Sequence, residues 1–245
     1  MFLDKLNEEE RILTSLRDGS PLRQLLLATK GETAFQTIQL PENIQNQTFL
    51  HTLESAQLLH KDANSWTFPG YAKVQVAIRA LQLGEPNRTV LSALTWQEFE
   101  EFVARVLTFH EFQVCHRFRF SDTRRYEIDI LAGRQPVLFC IDCKQYGVRL
   151  NKASSLRTAA DEQLHRTRAL ANAFAEFQVK IGCLDWSSPV LIPMLVTMLI
   201  EDIQFHEKIP IVPASLLNAF LLKYEERLDS LCTVEPSSSR QLRLI

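Results

Sequence analysis

The segment YEIDILAGRQPVLFCIDCKQY, residues 126–146, is the tightest constraint on what this chain can become. Two apolar runs rich in β-branched and aromatic residues flank Gly133 to Pro136, a spacing that reads as neighbouring antiparallel strands joined by a turn. Each run nevertheless carries an aspartate, and the second carries a lysine as well. A charge placed in an apolar strand is costly unless it is paired or holds an ion. Side chains alternate between the faces of a strand, so Tyr126, Ile128 and Ile130 share one face while Glu127 and Asp129 share the other. On the second strand Phe139, Ile141 and Cys143 oppose Cys140, Asp142 and Lys144. If the apolar faces coincide, Asp129, Asp142 and Lys144 gather on the opposite face, with the aspartates level to within a register step.

Two carboxylates this close repel, and one takes up a proton unless a cation compensates. A divalent ion with a preference for oxygen, Mg²⁺ or Mn²⁺, answers that need and keeps waters for a substrate. Lys144, two residues from Asp142 on the same face, is within reach of such a water or of a substrate phosphate. The set suits phosphodiester hydrolysis. The plain alternative is an ordinary Asp–Lys ion pair at a sheet edge. Cys140 and Cys143 have the spacing of half a zinc site, but they face opposite ways and no second pair exists.

The flanking sequence reads as a mixed α/β domain over residues 88–230. Thr95 with Glu98 forms a capping box, and Phe99, Phe102, Val103, Val106 and Leu107 follow helical spacing behind it. Glu100 falls at the edge of that stripe, where it can reach a cleft. FQVCHRFRF is strand-like, a single long helix is expected over roughly 153–177, PVLIPMLVTMLI and IPIVP read as strands, and ASLLNAFLLKYEERL as a final helix. Residues 231–245 read as a tail that frays. On the long helix, Gln163, His165 and Arg166 are candidates to approach phosphate.

Residues 1–87 read as a separate small helical domain, ending at the linker Gly84-Glu85-Pro86-Asn87. Asn7 with Glu10 caps a first helix, Ser20-Pro21 starts a second that Gly31 closes, and FLHTLESA suggests a third. A hairpin then turns at Asp62-Ala63-Asn64, and YAKVQVAIRALQL fits helix or strand equally. Three helices and a hairpin is the order of a winged helix, and of other small helical domains too. Lys61 at the turn, with Lys73 and Arg79 nearby, are its cations available to nucleic acid.

A net charge of −2 gives no global sign of a polyanionic partner, but residues 102–170 hold twelve Arg or Lys against seven Asp or Glu. That local excess surrounds the two charged strands, which is where DNA would be drawn. Arg124, Arg125, Arg149, Lys152, Arg157 and Arg166 are the candidate DNA contacts. The longest apolar run has twelve residues with a proline inside, short of the roughly twenty of a membrane helix. Five cysteines without framework spacing and no visible secretory signal fit a cytoplasmic protein with no membrane partner. A homodimer is left open.

FEEFVARVLTFHEFQV, then EIDIL, then FCIDCKQY, resembles the Mrr-like branch of the PD-(D/E)XK nuclease superfamily, over about residues 95–215. The resemblance implies a restriction-endonuclease-like mixed sheet flanked by helices, and a Mg²⁺- or Mn²⁺-dependent DNA endonuclease acting in restriction, repair or defence against mobile elements. It assigns Asp129 and Asp142 as metal ligands together with the backbone carbonyl of Cys143, Lys144 as the catalytic lysine, and Glu100 as an acid that contacts metal through water. Glu127 stands where the family often has a small residue, and is a candidate extra ligand. The alternative function is a non-catalytic DNA-binding protein that keeps the fold.

Overall fold

In the computed structural model, residues 16–145, 152–182, 186 and 189–236 are described. They form two compact units that divide between Phe102 and Val103. The expected first helix from Asn7 and the end of the tail beyond residue 236 lie outside the described residues.

The first unit runs α1 (Ser20–Ala28), β1 (Ala34–Phe35), two 3-10 turns, α2 (Gln47–Ser55), β2 (His60–Asp62), β3 (Ser65–Thr67), α3 (Ala72–Gln82) and α4 (Asn87–Ser92). The ambiguous YAKVQVAIRALQL is thus helical, because Val74, Ala77 and Ala80, with Val76 beside them, all have apolar neighbours to bury against. β2 and β3 form the hairpin about residues 63 and 64, and β1 pairs with β3 on its other side, Ala34 opposite Thr67 and Phe35 opposite Trp66. Leu22, Leu25 and Leu26 of α1, Leu50 and Leu53 of α2, and Trp66 fill the core. Gly84 turns the chain with a φ of 88°, a left-handed value that glycine adopts without strain, and α4 then packs back on α1 and α3.

Two cations expected to face nucleic acid are structural instead. Lys73 is 2% exposed and its ammonium donates to the carbonyls of Thr29 and Glu32 at 2.6 Å each, with Glu98 at 3.8 Å. It closes the end of α1, where carbonyls lack helical partners. Arg79 donates to the carbonyl of Leu16 at 2.5 Å. Lys61 remains exposed, its ammonium 5.3 Å from the centre of the Trp66 ring.

The helix α5 (Trp96–Phe109) leads to the second unit, and its start carries the capping box: Thr95 N–H donates to Glu98 at 2.7 Å and Glu98 N–H to Thr95 Oγ1 at 3.3 Å. Beyond it come β4 (Gln113–Ser121), β5 (Arg125–Arg134), β6 (Val137–Lys144), α6 (Lys152–Asn172), α7 (Phe174–Ile181), β7 (Val190–Thr197), β8 (Phe205–His206), β9 (Ile209–Pro213) and α8 (Ala214–Leu221). The six strands form one mixed sheet in the order β4-β5-β6-β7-β9-β8. β4, β5 and β6 are antiparallel neighbours, whereas β6, β7 and β9 run parallel, which requires a crossover that α6 supplies.

β6 is buried on both faces, as a central strand with parallel pairing tends to be. On one face Phe139 meets Phe112, Phe220 and Tyr224. On the other, Leu138 and Cys140 join Leu170, Phe174 and Leu191. The expected single long helix is broken at Ala173, which lets Phe174 enter that cluster and Phe177 meet the rings of Phe118 and Phe120 edge-on. The segment after residue 230 does not simply fray: Leu231 is buried, and Val234 exchanges both backbone hydrogen bonds with Leu191, at 2.9 and 2.8 Å. β9 reaches only Leu195 to Thr197 of β7, so Val234 fills part of the edge that β9 leaves open.

Replacing Lys73 by Ala removes its hydrogen bonds to the carbonyls of Thr29 and Glu32 and leaves a cavity where the side chain was buried, at a cost of about 3 kcal/mol. Urea unfolding of the two proteins should therefore differ in midpoint, with Lys73→Ala the less stable; coincident curves would mean that Lys73 ties nothing down.

Candidate active site

Ile130 pairs with Ile141, so the same register carries Asp129 opposite Asp142, at the point where the ladder between β5 and β6 ends. There the Asp129 carboxylate accepts the backbone N–H of Cys143 at 2.9 Å, taking the place of a missing ladder bond. On β4, Arg117 stands level with Asp129, yet that pair is absent between His116–Ile130 and Phe118–Ile128. Arg117 has a φ of 46°, a strained left-handed value for a residue with a side chain.

The slip at Arg117 corrects the expectation of strict alternation. Tyr126 and Ile128 share a core cluster with Leu131, not with Ile130, and Phe118 shares it with Cys115, three residues away. An odd spacing on one face means that the strands change face at this level. Nor is the charged face bare. Asp142 follows Leu138 and Cys140 on the face that α6 covers, and is 3% exposed.

Asp142 is held by two cations. The Lys144 ammonium lies 2.6 Å from its Oδ2, and Arg166 Nη1 on α6 donates to Oδ1 at 2.9 Å. Arg166 Nη1 also donates to Gln163 Oε1 at 3.2 Å, and its Nη2 lies 3.6 Å from Glu162. Arg166, read from sequence as a DNA contact, is therefore turned into the site. Its signal in the sequence was an arginine three residues after a glutamine on a helix that crosses the sheet, which does not name the strand residue it meets. Asp142 Oδ2 and Gln163 Nε2, both buried, have no hydrogen-bond partner among the described residues, although Oδ2 has its ion pair with Lys144.

The Asp129 carboxyl titrates above the ordinary carboxylate range, first because it is desolvated and then because Asp142 is near; the Cys143 N–H, Lys144 and Arg166 pull the other way. These are the conditions under which a divalent cation is favoured. The carboxylates of Asp129 and Asp142, level on neighbouring strands, are hard oxygen donors of the kind that Mg²⁺ or Mn²⁺ prefers. No group of three or more His, Cys, Asp or Glu side chains is arranged to hold a metal among the described residues. The Cys140 thiol is buried and pushed up to about 12, so it stays protonated in its apolar cluster.

The other candidates are distributed. Glu127 is paired across the strands with Arg119 at 2.6 Å. Glu100 lies on α5 within the first unit and is buried, not at a stripe's edge. Arg124 is exposed with its guanidinium 5.0 Å from the centre of the Tyr126 ring, and Arg125 and Arg157 are exposed. Arg149 and the side chain of Lys152 lie outside the described residues. Tyr126 Oη meets His165 Nε2 at 3.3 Å, and Arg124, Asp161, Glu162, His165 and Arg166 line an open groove beside the site. No helix among the described residues is long and apolar enough to cross a membrane.

The ionisation cost at Asp129 has a pH signature. Its folded pKa is raised, so the penalty is absent below the unfolded value of 3.8 and grows as pH rises through the folded value. Without metal, Asp129→Asn should be more stable than wild type at pH 7, and the advantage should vanish towards pH 3.5. Thermal unfolding in chelator across that range checks it.

Residues 91–178 match the family model Mrr_cat, restriction endonuclease. An uncharacterized protein of Archaeoglobus fulgidus is 35% identical over 129 residues, which cover 52% of this chain and 90% of that protein. Among solved structures, protein VC1899 from Vibrio cholerae is 15% identical with a TM-score of 0.37, covering 91% of this chain and 54% of its own. Can2 from Sulfobacillus thermosulfidooxidans, in complex with cyclic tetra-adenylate, is 12% identical with a TM-score of 0.34, covering 84% and 51%. The protein of unknown function AF1548 is 18% identical with a TM-score of 0.26, covering 40% and 45%. The chain thus spans about half the length of these solved structures.

Proposed function

We propose that this chain, whose residues 91–178 form an Mrr_cat restriction endonuclease domain of the PD-(D/E)XK kind, is a metal-dependent endonuclease acting on DNA. The observation that carries the reading is the facing pair Asp129 and Asp142, with the Lys144 ammonium 2.6 Å from the buried Asp142 carboxylate. Asp129, Asp142 and the Cys143 carbonyl would hold Mg²⁺ or Mn²⁺. The bound ion would supply an activated water and offset charge on the pentavalent phosphorus. Asp142 pins the Lys144 ammonium at 2.6 Å, so the lysine is oriented before substrate arrives and can steady the nucleophile or a phosphate oxygen. The exposed Arg124, Arg125 and Arg157 offer phosphate contacts.

For residues 1–87 we propose a winged-helix module that adds DNA contacts, supported by the β1-β3-β2 sheet with its hairpin after α2. With Lys73 and Arg79 committed to the fold, Lys61 on the hairpin is its best-placed cation. The second reading, a DNA-binding protein without catalysis, draws on one observation: Asp142 is already neutralised by Lys144 and Arg166.

Purified protein should cut plasmid DNA with Mg²⁺ and not in chelator. Asp129→Ala and Asp142→Ala should abolish cutting, and Lys144→Ala should slow it about 100-fold or more while metal still binds. Asp142→Ala should also lower stability by about 2 kcal/mol, since Lys144 and Arg166 then face each other uncompensated. A gel shift without cleavage by the wild type would favour the second reading. Lys61→Glu should weaken DNA affinity and flatten its salt dependence by about one phosphate contact; an unaltered salt slope would count against the winged-helix module touching DNA.

A further inference from the structure

We infer that Arg166 is a positioning residue with two stations, which occupies the Asp142 carboxylate when metal is absent and gives it up when metal enters; the inference rests on the metal-site reading above. In the inward station its guanidinium donates to Asp142 Oδ1 at 2.9 Å and Gln163 Oε1 at 3.2 Å. The two carboxylates and the two cations Lys144 and Arg166 balance in charge, so a divalent ion added to all four leaves an excess of positive charge in a site whose Asp142 is buried. One cation must withdraw. Lys144 is the less able, being carried by the same strand two residues from Asp142.

Arg166 has somewhere to go. Its side chain is 26% exposed, and Glu162, one helical turn earlier and 60% exposed, lies 3.6 Å from Nη2. Both residues line the open groove with Arg124, Asp161 and His165, so an outward turn exchanges one carboxylate for another without leaving the groove. The buried Gln163 Nε2, which has no hydrogen-bond partner among the described residues, marks the inward station as incompletely satisfied. Arg166 thus keeps Asp142 oriented in the metal-free protein and competes with the ion for it.

The test is Mn²⁺ binding to full-length protein without DNA, followed by the electron paramagnetic resonance of the ion, in wild type and variants. Arg166→Gln should bind Mn²⁺ about tenfold tighter, the worth of one partly exposed charge-assisted hydrogen bond. Glu162→Gln, a change at an exposed position, should bind about twofold weaker because the inward station gains. Arg124→Gln, which removes the same charge from the same groove, should leave affinity unchanged and so separates a specific contact from the general field. Equal affinity in wild type and Arg166→Gln, or equal tightening by Arg124→Gln, overturns the two-station arginine while the metal site stands. Mn²⁺ binding that survives Asp142→Ala undiminished, or no binding by any variant, overturns the metal site and the arginine's role together.

Discussion

The meeting of Asp129 and Asp142 across neighbouring strands is the interaction around which the second unit is organised. Repulsion between carboxylates in a desolvated setting has to be offset locally, and the means of doing so come from three directions. Lys144 comes from the same strand, Arg166 from the crossover helix, and the Cys143 N–H from a backbone group that the end of the ladder has released. The mixed topology follows the same logic. Only a parallel neighbour for β6 calls for a helix long enough to cross the sheet, and that helix is what brings a cation over Asp142.

The site also fixes where the sheet is irregular. β5 serves two purposes: its first half lines an apolar cluster and its second half crosses the centre of the sheet. The change of face falls beside Asp129, where the left-handed Arg117 interrupts the pairing with β4. A regular ladder would have tied Asp129 into the pleat. The interruption leaves its carboxylate to reach sideways towards β6, so strain on the outer strand and the contact of Asp129 with the Cys143 N–H are parts of one arrangement.

Much of this was legible because it is local in the chain. The capping box of Thr95 and Glu98 and the near-level aspartates follow from spacings of a few residues, whereas the mixed sheet was implied by the family resemblance. What escaped depends on partners far away in sequence. Lys73 looks like any helix lysine until Thr29 and Glu32, more than forty residues earlier, are brought against it. Arg166 looks like a surface cation until the crossover sets it over Asp142. Strict alternation misassigned Tyr126 and Ile128 because a change of face is caused by the neighbouring strand, and the break at Ala173 answers to rings on β4.

The bridge between Val234 and Leu191 bears on how the protein behaves in concentrated solution. β7 is buried along its length, and its first half has β6 on one side but no β9 residue on the other. An unpaired apolar edge is a template for the same edge of another molecule. Residues 231–234 therefore act as a guard strip, and a chain shortened to residue 230 would keep Asp129 and Asp142 while gaining a route to aggregation through Val190, Leu191 and Ile192.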